Sequence, residues 1–184
     1  PHDLVLNYPG ILQSIKNTLV PGRTESRAFL VWYLANYYRL DEFEAQGTVC
    51  DGHDDKGIDG IYVDDNLETI DVFQSKIVKN SRKTLGDTQL KEFVGTLAQL
   101  ADPDEIESIQ SSTSNTELAK LLESSDVSQK VKDGYLVKGI FVTNIERDQN
   151  AVDYLEGRDD IIVSDKQELI ASYISVSPAA PVGK

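Results

Sequence analysis

The sequence predicts an α/β fold with a mixed central sheet, in which an antiparallel hairpin joins parallel strands and helices flank the sheet. Two β-rich segments, 58–63 and 69–78, are separated by only a short turn, which predicts the hairpin. The run 135–144 is almost continuously apolar, as expected for a strand buried on both faces. Helical periodicity over 85–100 and 147–155 separates the later strands, and a helical crossover places the strands that it connects parallel to each other.

Helices are predicted for most of the remaining chain. Thr24 is a suitable N-cap for the longest of the early helices, because its hydroxyl can accept a hydrogen bond from a backbone N–H of the first turn. The segment after Glu123 is expected to be loose and acidic. The other expected elements are helices at 11–19, 25–40, 41–46, from 103 onward, 117–123 and 166–173, a brief first strand at 48–51 and a last buried strand at 160–163.

The length and composition are those of one globular domain. The 184 residues are enough to enclose a core, and 40% of them are hydrophobic and 27% charged. We expect residues 1–174 to form a single domain. Residues 175–184 contain two prolines among small residues, which is typical of a linker, and we expect them to lead to a further C-terminal region of a longer protein.

The composition also excludes several classes of protein and site. No apolar run approaches the roughly 18 residues of a membrane span, and the first residues lack the basic-then-apolar pattern of a signal peptide. Cys50 is the single cysteine and forms no internal disulfide, which is compatible with the cytoplasm. With only two histidines beside it, the chain offers too few ligands for a Cys/His zinc site.

Charge is distributed unevenly along the chain. The formal net charge is −13, which opposes nucleic-acid binding by the surface as a whole. The segment 76–91 is the exception, because five basic residues and one acidic residue give it +4 and leave −17 for the remainder. Lys79, Arg82 and Lys83 lie in this segment and are the candidate nucleic-acid-binding residues. An ordinary solvated loop is the alternative explanation.

Three polar residues lie on the predicted hairpin where its strands would adjoin. Asp59 lies between an isoleucine and a glycine in an apolar segment, where a carboxylate is costly to bury unless it is paired or binds a metal. Gln74 and Lys76 are two residues apart and so project from the same face of their strand. Phe73 and Ile77 project from the other face, into the core. Paired strands would let Asp59 approach the face of Gln74 and Lys76; the alternative is that all three are ordinary solvent-facing residues.

Together these side chains suit the metal-dependent hydrolysis of a phosphodiester. Mg²⁺ in proteins prefers oxygen ligands and keeps several waters. Asp59 would supply an anionic oxygen and the amide of Gln74 a neutral one. The Lys76 ammonium would orient the attacking water and offset the negative charge that develops on the phosphate.

Motifs around these residues resemble a known nuclease family. Asp59 followed by Gln74-x-Lys76 resembles the PD-(D/E)XK, or restriction-endonuclease-like, motif in its Mrr-type variant, in which glutamine replaces the acidic residue. Over a longer stretch the chain resembles the N-terminal nuclease-like domain of abortive-infection phage-resistance (AIPR) proteins. That longer pattern comprises Glu25-x-x-Ala28-Phe29, Asp51-Gly52-x-x-Asp55-Lys56-Gly57-Ile58-Asp59-Gly60 and Phe73-Gln74-Ser75-Lys76.

The resemblance implies a fold, a substrate and a cofactor. The fold is a restriction-endonuclease-like core of helix, hairpin, helix and strand, the substrate is DNA, and the cofactor is Mg²⁺ or Mn²⁺. The resemblance also implies that a glutamate on the first long helix joins Asp59 and Gln74 at the metal; by position this is Glu25, with Glu44 as the alternative. Glutamine in place of an acid lowers the ligand charge and hence the metal affinity.

Three functions follow from these observations. The first is a metal-dependent DNA endonuclease acting in restriction or phage defence, for which a homodimer would provide the two sites needed to cut both strands. The second is a nuclease-like domain without catalytic activity that binds nucleic acid or a partner protein, favoured by the acidic balance and the neutral Gln74. The third is an interaction module whose acidic surface binds a basic partner in a strongly salt-dependent manner.

Overall fold

The structure is a computed structural model, and it describes residues 4–50, 57–112 and 116–174. These residues form four strands and nine helices. The strands are β1 (Gly60–Asp64), β2 (Thr69–Lys76), β3 (Leu136–Thr143) and β4 (Ile161–Ser164). The helices are α1 (Ile11–Ser14), α2 (Glu25–Tyr37), α3 (Glu42–Thr48), α4 (Asp87–Leu100), α5 (Pro103–Ser112), α6 (Thr116–Ser124), α7 (Val127–Lys132), α8 (Gln149–Leu155) and α9 (Lys166–Ser172).

The strands form one mixed sheet in the order β1-β2-β3-β4. β1 and β2 are antiparallel, and Asp64 closes the turn between them by accepting hydrogen bonds from the N–H groups of Asn66 and Leu67. β2, β3 and β4 are parallel, because helices return the chain to the same end of the sheet before β3 and again before β4. The predicted α/β class, with an antiparallel hairpin, parallel strands and flanking helices, is confirmed.

The sheet separates two hydrophobic cores. Phe73 and Ile140 pack on the side of α2, whereas Phe141 packs on the side of α4 against Phe93 and Leu97. The rings of Phe93 and Phe141 are 6.1 Å apart and nearly perpendicular. β3 thus contributes neighbouring residues to both cores, which confirms the prediction that this apolar run is buried on both faces.

Two local predictions are wrong. No strand forms over 48–50, the described part of the strand predicted at 48–51: α3 extends through Thr48, and Val49 makes an isolated antiparallel bridge to Gly60. The segment after Glu123 contains helix α7, which buries Val127 in the core on the α4 side. A six-residue helix is too short to show a periodic pattern in the sequence.

Two predicted helices end earlier than expected. The helix predicted over 25–40 ends with α2 at Tyr37, because Arg39 adopts a positive φ of 58° that no helix accommodates. The helix predicted over 11–19 is regular only in α1. Beyond it the chain continues in tighter turns, in which the Thr18 N–H donates to the Ile15 carbonyl.

Part of the sequence lies outside the described residues. This holds for the predicted linker, 175–184, and for residues 51–56 of the loop that carries part of the nuclease-like pattern. A single domain over 1–174 stays a prediction. Among the helices of the three described ranges, none combines the length and the apolar character needed to cross a membrane.

Gly139 in β3 gives α4 room to pack on the sheet, and alanine at this position is expected to destabilise the fold. A Cβ there would lie 2.5 Å from Leu97 Cδ1 and 2.7 Å from Phe93 Cε1. Because these side chains must shift, we expect Gly139→Ala to lower the free energy of unfolding in urea by about 1–3 kcal/mol. Gly95→Ala on α4, whose Cβ would meet no described neighbour within 4 Å, should raise it by about 0.5–1 kcal/mol. A Gly139→Ala variant with the same free energy of unfolding as the unmodified chain would contradict this account of the packing.

Candidate active site

Asp59 lies immediately before β1 and is held by backbone hydrogen bonds on both sides. Its N–H donates to the Phe73 carbonyl at 2.7 Å, and its carbonyl accepts the Cys50 N–H at 2.9 Å. The residue is therefore fixed between β2 and the segment that follows α3. Its half-buried side chain lies at the end of the hairpin that is opposite to the turn.

The Asp59 carboxylate is bound to the backbone of β2. Oδ2 accepts the Ser75 N–H at 2.8 Å, a charge-assisted hydrogen bond. Regular strand pairing ends at Gly60 and Phe73, so the carboxylate serves as the acceptor for an N–H beyond the last backbone pair. This bond places the carboxylate beside the peptide group that links Gln74 to Ser75.

Asp59 also lines a small cavity of about 30 Å³ under the N-terminal end of α2, with room for a water-sized group. The Ser75 hydroxyl donates to the Ser26 carbonyl at 3.3 Å, which ties β2 to the same end of α2. The lining residues are Thr24, Ser26, Arg27, Leu30, Cys50 and Asp59.

Gln74 and Lys76 project from the face of β2 opposite to Ser75, on the side of α4. The Gln74 amide lies next to Gly57, since a Cβ built on that glycine would be 3.6 Å from Nε2. Lys76 is exposed and lines an open pocket beside the start of α4. The structure thus brings Asp59, Gln74 and Lys76 to one end of the hairpin. Asp59 and Lys76 line different cavities, one under the N-terminal end of α2 and the other beside the start of α4.

Glu25, the first residue of α2, lies between two residues that line the Asp59 cavity, whereas Glu44 lines a different pocket. The residues on either side of Glu25 line the Asp59 cavity, and its Oε1 accepts the Tyr8 hydroxyl at 3.3 Å. Glu44 is exposed on α3 and lines a separate pocket with Tyr62, at the middle of β1. Of the two glutamates, Glu25 is the one flanked by residues of the Asp59 cavity, and a role for it as a metal ligand stays a prediction.

The predicted nucleic-acid-binding residues follow β2 at the same end of the sheet. Lys79 Nζ lies 5.3 Å from the centre of the Tyr8 ring, so the ring lies between Lys79 and Glu25. Arg82 is exposed, and its backbone N–H donates to Asn80 Oδ1. Lys83 is exposed and lines the same pocket as Lys76. Among these three residues, Lys83 is the one that shares a pocket with a predicted catalytic residue, Lys76.

Asn144, which the sequence analysis missed, fastens the start of the basic segment to the end of β3. Its side chain is 1% exposed; Oδ1 accepts the Val78 N–H at 2.7 Å, and Nδ2 donates to the carbonyls of Val78 and Leu6 at 3.0 and 3.1 Å. An asparagine after a strand is typical of a turn, so the sequence carries no signal for this role.

Leu85, within the basic segment 76–91, is fastened to the same part of the fold as Val78. The Leu85 N–H donates to the Glu146 carbonyl at 2.8 Å, and the Leu85 carbonyl accepts the Asp148 N–H at 2.9 Å. Residues 79–84 therefore form a loop whose two ends are both attached to the chain between β3 and α8.

Asp71 on β2 is excluded from the site by its position and its partner. It lies toward the opposite end of the strand, and its Oδ2 accepts the Tyr38 hydroxyl at 2.7 Å. Burial raises the pKa of Asp71 above its ordinary value, with the Tyr38 hydrogen bond and the charge of Lys138 acting in the other direction. The carboxylate has a structural role, which makes Asp71 a suitable control residue for Asp59.

The donor atoms at this end of the sheet suit a hard divalent cation. Asp59 and Glu25 offer carboxylates and Gln74 an amide oxygen, and Mg²⁺ is usually held by one or two carboxylates together with waters and substrate phosphates. The described residues form no group of three or more His, Cys, Asp or Glu side chains able to hold a metal. Carboxylate and amide oxygens are the ligand types that Mg²⁺ prefers, and binding of Mg²⁺ or Mn²⁺ here stays a prediction.

Comparison with protein-family models, with curated proteins and with solved structures gives no significant match. The resemblance to PD-(D/E)XK nucleases therefore rests on the motif residues and stays a prediction.

Proposed function

We propose that this chain is a metal-dependent endonuclease domain with a restriction-endonuclease-like core of the PD-(D/E)XK type, which hydrolyses phosphodiester bonds of DNA in restriction or phage defence in the cytoplasm. The observation that carries the proposal is the hydrogen bond of 2.8 Å between Asp59 Oδ2 and the Ser75 N–H. This bond fixes a carboxylate at the strand end where Gln74 and Lys76 project.

The proposed roles follow from the chemistry of each side chain. Asp59, Gln74 and Glu25 would hold Mg²⁺ or Mn²⁺, and the Ser75 N–H keeps the Asp59 carboxylate in one orientation. A divalent cation bound there supplies positive charge beside the phosphate and lowers the pKa of an attacking water. The Lys76 ammonium orients this water and balances the charge that develops on the phosphate oxygens.

The position of the site in the sheet gives independent support by analogy. Lys76 is the last residue of β2 and pairs with Thr143, the last residue of the parallel strand β3. In open α/β sheets, ligands commonly bind beyond the carboxyl ends of parallel strands. The candidate residues lie at this edge of the sheet.

The test of the proposal is cleavage of supercoiled plasmid DNA with Mg²⁺ or Mn²⁺, with EDTA as the negative control. We expect Lys76→Met to lower the single-turnover rate about 10²-fold, because it removes the cation that stabilises the developing charge. Lys138→Met removes a lysine from β3 at the level of Asp71, toward the opposite end of the sheet, and should leave the rate unchanged. Cleavage by Lys76→Met at the rate of the unmodified chain would contradict the proposed role.

The second candidate is a nuclease-like domain that binds nucleic acid or a partner protein without cutting. The neutral Gln74 and the small number of carboxylates at the site favour it. Titration calorimetry with Mn²⁺ separates the two functions, since binding heat that disappears in an Asp59 variant supports the endonuclease. DNA binding without metal heat and without cleavage supports the second candidate. Sedimentation with DNA tests whether two copies assemble to cut both strands.

A further inference from the structure

An open pocket of about 350 Å³ lies next to the candidate site, on the α4 side of β2. Its walls are formed by the end of β2, the loop that joins β2 to α4 and the first turn of α4. Its lining residues are Lys76, Val78, Lys83, Thr84, Gly86, Thr88, Gln89 and Ile145. Lys76 therefore belongs to this pocket as well as to the candidate active site.

The ionisable residues of the pocket lining are both lysines. Within the described ranges, neither Lys76 nor Lys83 forms an ion pair. Two neighbouring acids have partners of their own: Asp87 pairs with Lys91 at 2.7 Å, and Asp148 Oδ1 accepts the Ala151 N–H as the N-cap of α8. Asp148 Oδ2 lies near Gly86 of the lining, 3.4 Å from where a Cβ on that glycine would be, and is the carboxylate nearest to the two lysines among the contacts described here. The pocket thus keeps a local positive charge in a chain whose net charge is −13.

Hydrogen-bond donors complete the pocket. The hydroxyls of Thr84 and Thr88 and the amide of Gln89 belong to its lining. The first-turn N–H groups of Asp87 and Thr88 are not among these donors, because the Asp87 carboxylate accepts them. Two lysines with neutral donors beside them suit an oxyanion with several acceptor oxygens and disfavour a cation.

We infer that this pocket binds a phosphate of a nucleic-acid backbone, namely the phosphate next to the bond that is cut. The inference rests on the proposed function for the position of the cut, because Lys76 contributes both to the pocket and to the candidate site. Affinity for DNA comes largely from phosphate contacts by Lys and Arg. In so acidic a chain, this pocket supplies such contacts directly beside the reacting group.

The inference is tested by fluorescence anisotropy of a short DNA duplex in EDTA, where no metal-dependent cleavage occurs, over a range of salt. We expect Lys83→Ala to weaken binding about tenfold at low salt and to reduce the slope of log K against log salt by about 0.9. Thr88→Val should weaken binding about threefold without changing the slope, since it removes one neutral hydrogen bond. Thermal unfolding of each variant checks that the fold is retained.

Lys138→Ala is the matched control, because it removes the same charge from a position roughly 16 Å along β3 from the level of Lys76. Equal weakening by Lys83→Ala and Lys138→Ala, an unchanged salt slope in Lys83→Ala, or the absence of DNA binding by the unmodified chain would overturn the phosphate pocket. If the unmodified chain cuts plasmid DNA and Lys83→Ala binds DNA normally, the phosphate pocket is overturned and the endonuclease proposal stands. If DNA binding depends on Lys83 and Thr88 but the unmodified chain never cuts, the phosphate pocket is supported and the endonuclease proposal is overturned.

Discussion

Asp59→Asn is expected to abolish detectable Mn²⁺ binding and to lower the rate of DNA cleavage by about 10³-fold. The substitution removes the anionic oxygen proposed to hold the metal. The asparagine carbonyl can still accept the Ser75 N–H that Oδ2 accepts in the unmodified chain, so the hairpin should keep its shape. Titration calorimetry with Mn²⁺ and single-turnover cleavage measure the two effects, and thermal unfolding confirms that the variant is folded.

Asp71→Asn is the matched control for this prediction. It makes the same change on the same hairpin, and the asparagine can still accept the Tyr38 hydroxyl that Asp71 accepts at 2.7 Å. We expect metal binding and cleavage to be unchanged in this variant. An Asp59→Asn chain that binds Mn²⁺ as tightly as the unmodified chain would show that the metal site, if present, lies elsewhere.

Asp165→Ala is expected to lower the free energy of unfolding by about 3 kcal/mol, the largest loss of stability that we predict for a single side chain. The carboxylate side chain is 3% exposed; Oδ2 accepts the Arg147 Nε–H at 2.8 Å and the Arg147 N–H at 3.1 Å. Oδ1 accepts the Glu168 N–H at 3.0 Å and so caps α9. Removing it leaves the Arg147 guanidinium with the Val163 carbonyl but without its carboxylate, and leaves α9 without its cap.

The Asp165 contribution should depend on pH. Burial opposes ionisation of this carboxyl, but the hydrogen bonds from Arg147 and from backbone N–H groups outweigh burial, and the pKa lies below its ordinary value of 3.8. Since the pKa is lower in the folded state, the stabilisation is complete above the ordinary pKa and is lost as pH falls through the folded pKa. The difference in stability between the unmodified chain and Asp165→Asn should therefore be largest near neutral pH and shrink below about pH 4.

Asp148→Ala provides the comparison for Asp165. Asp148 also caps a helix, accepting the Ala151 N–H at 2.9 Å, but no ion pair joins it to a described basic residue. Its loss should cost about 1 kcal/mol, the usual value for an N-cap. Urea denaturation at pH 7 measures both variants. Similar losses for the two would show that the buried ion pair of Asp165 adds nothing beyond the cap.

The architecture could be predicted because its signals are local. The two β-rich segments adjoin across a short turn, which determines the hairpin, and the apolar run of β3 can be accommodated only between two covered faces. The short helix α7 and the early end of α2 escaped prediction. The first has too few residues for periodicity, and the second depends on the backbone conformation of Arg39.

The candidate site could be predicted only in part, for a physical reason. Strand geometry alone places the side chains of Gln74 and Lys76 on the same face of β2. The orientation of the Asp59 carboxylate, in contrast, depends on a hydrogen bond from Ser75, 16 residues away. Contacts of still longer range, such as that between Asn144 and Val78 at a separation of 66 residues, join parts of the chain that no local pattern connects. Residues identified by type are therefore predictable, and residues that act through tertiary contacts are not.

The attachment of residues 79–84 at both ends has a consequence for engineering and for divergence. Val78 is fixed by Asn144, and Leu85 by the backbone at Glu146 and Asp148. Because the loop of six residues between them is attached at both ends, we expect that its length and sequence can change while β2, which carries Gln74 and Lys76, keeps its position. Grafting other loops between these two anchors is expected to change the charge presented beside Lys76 without moving β2.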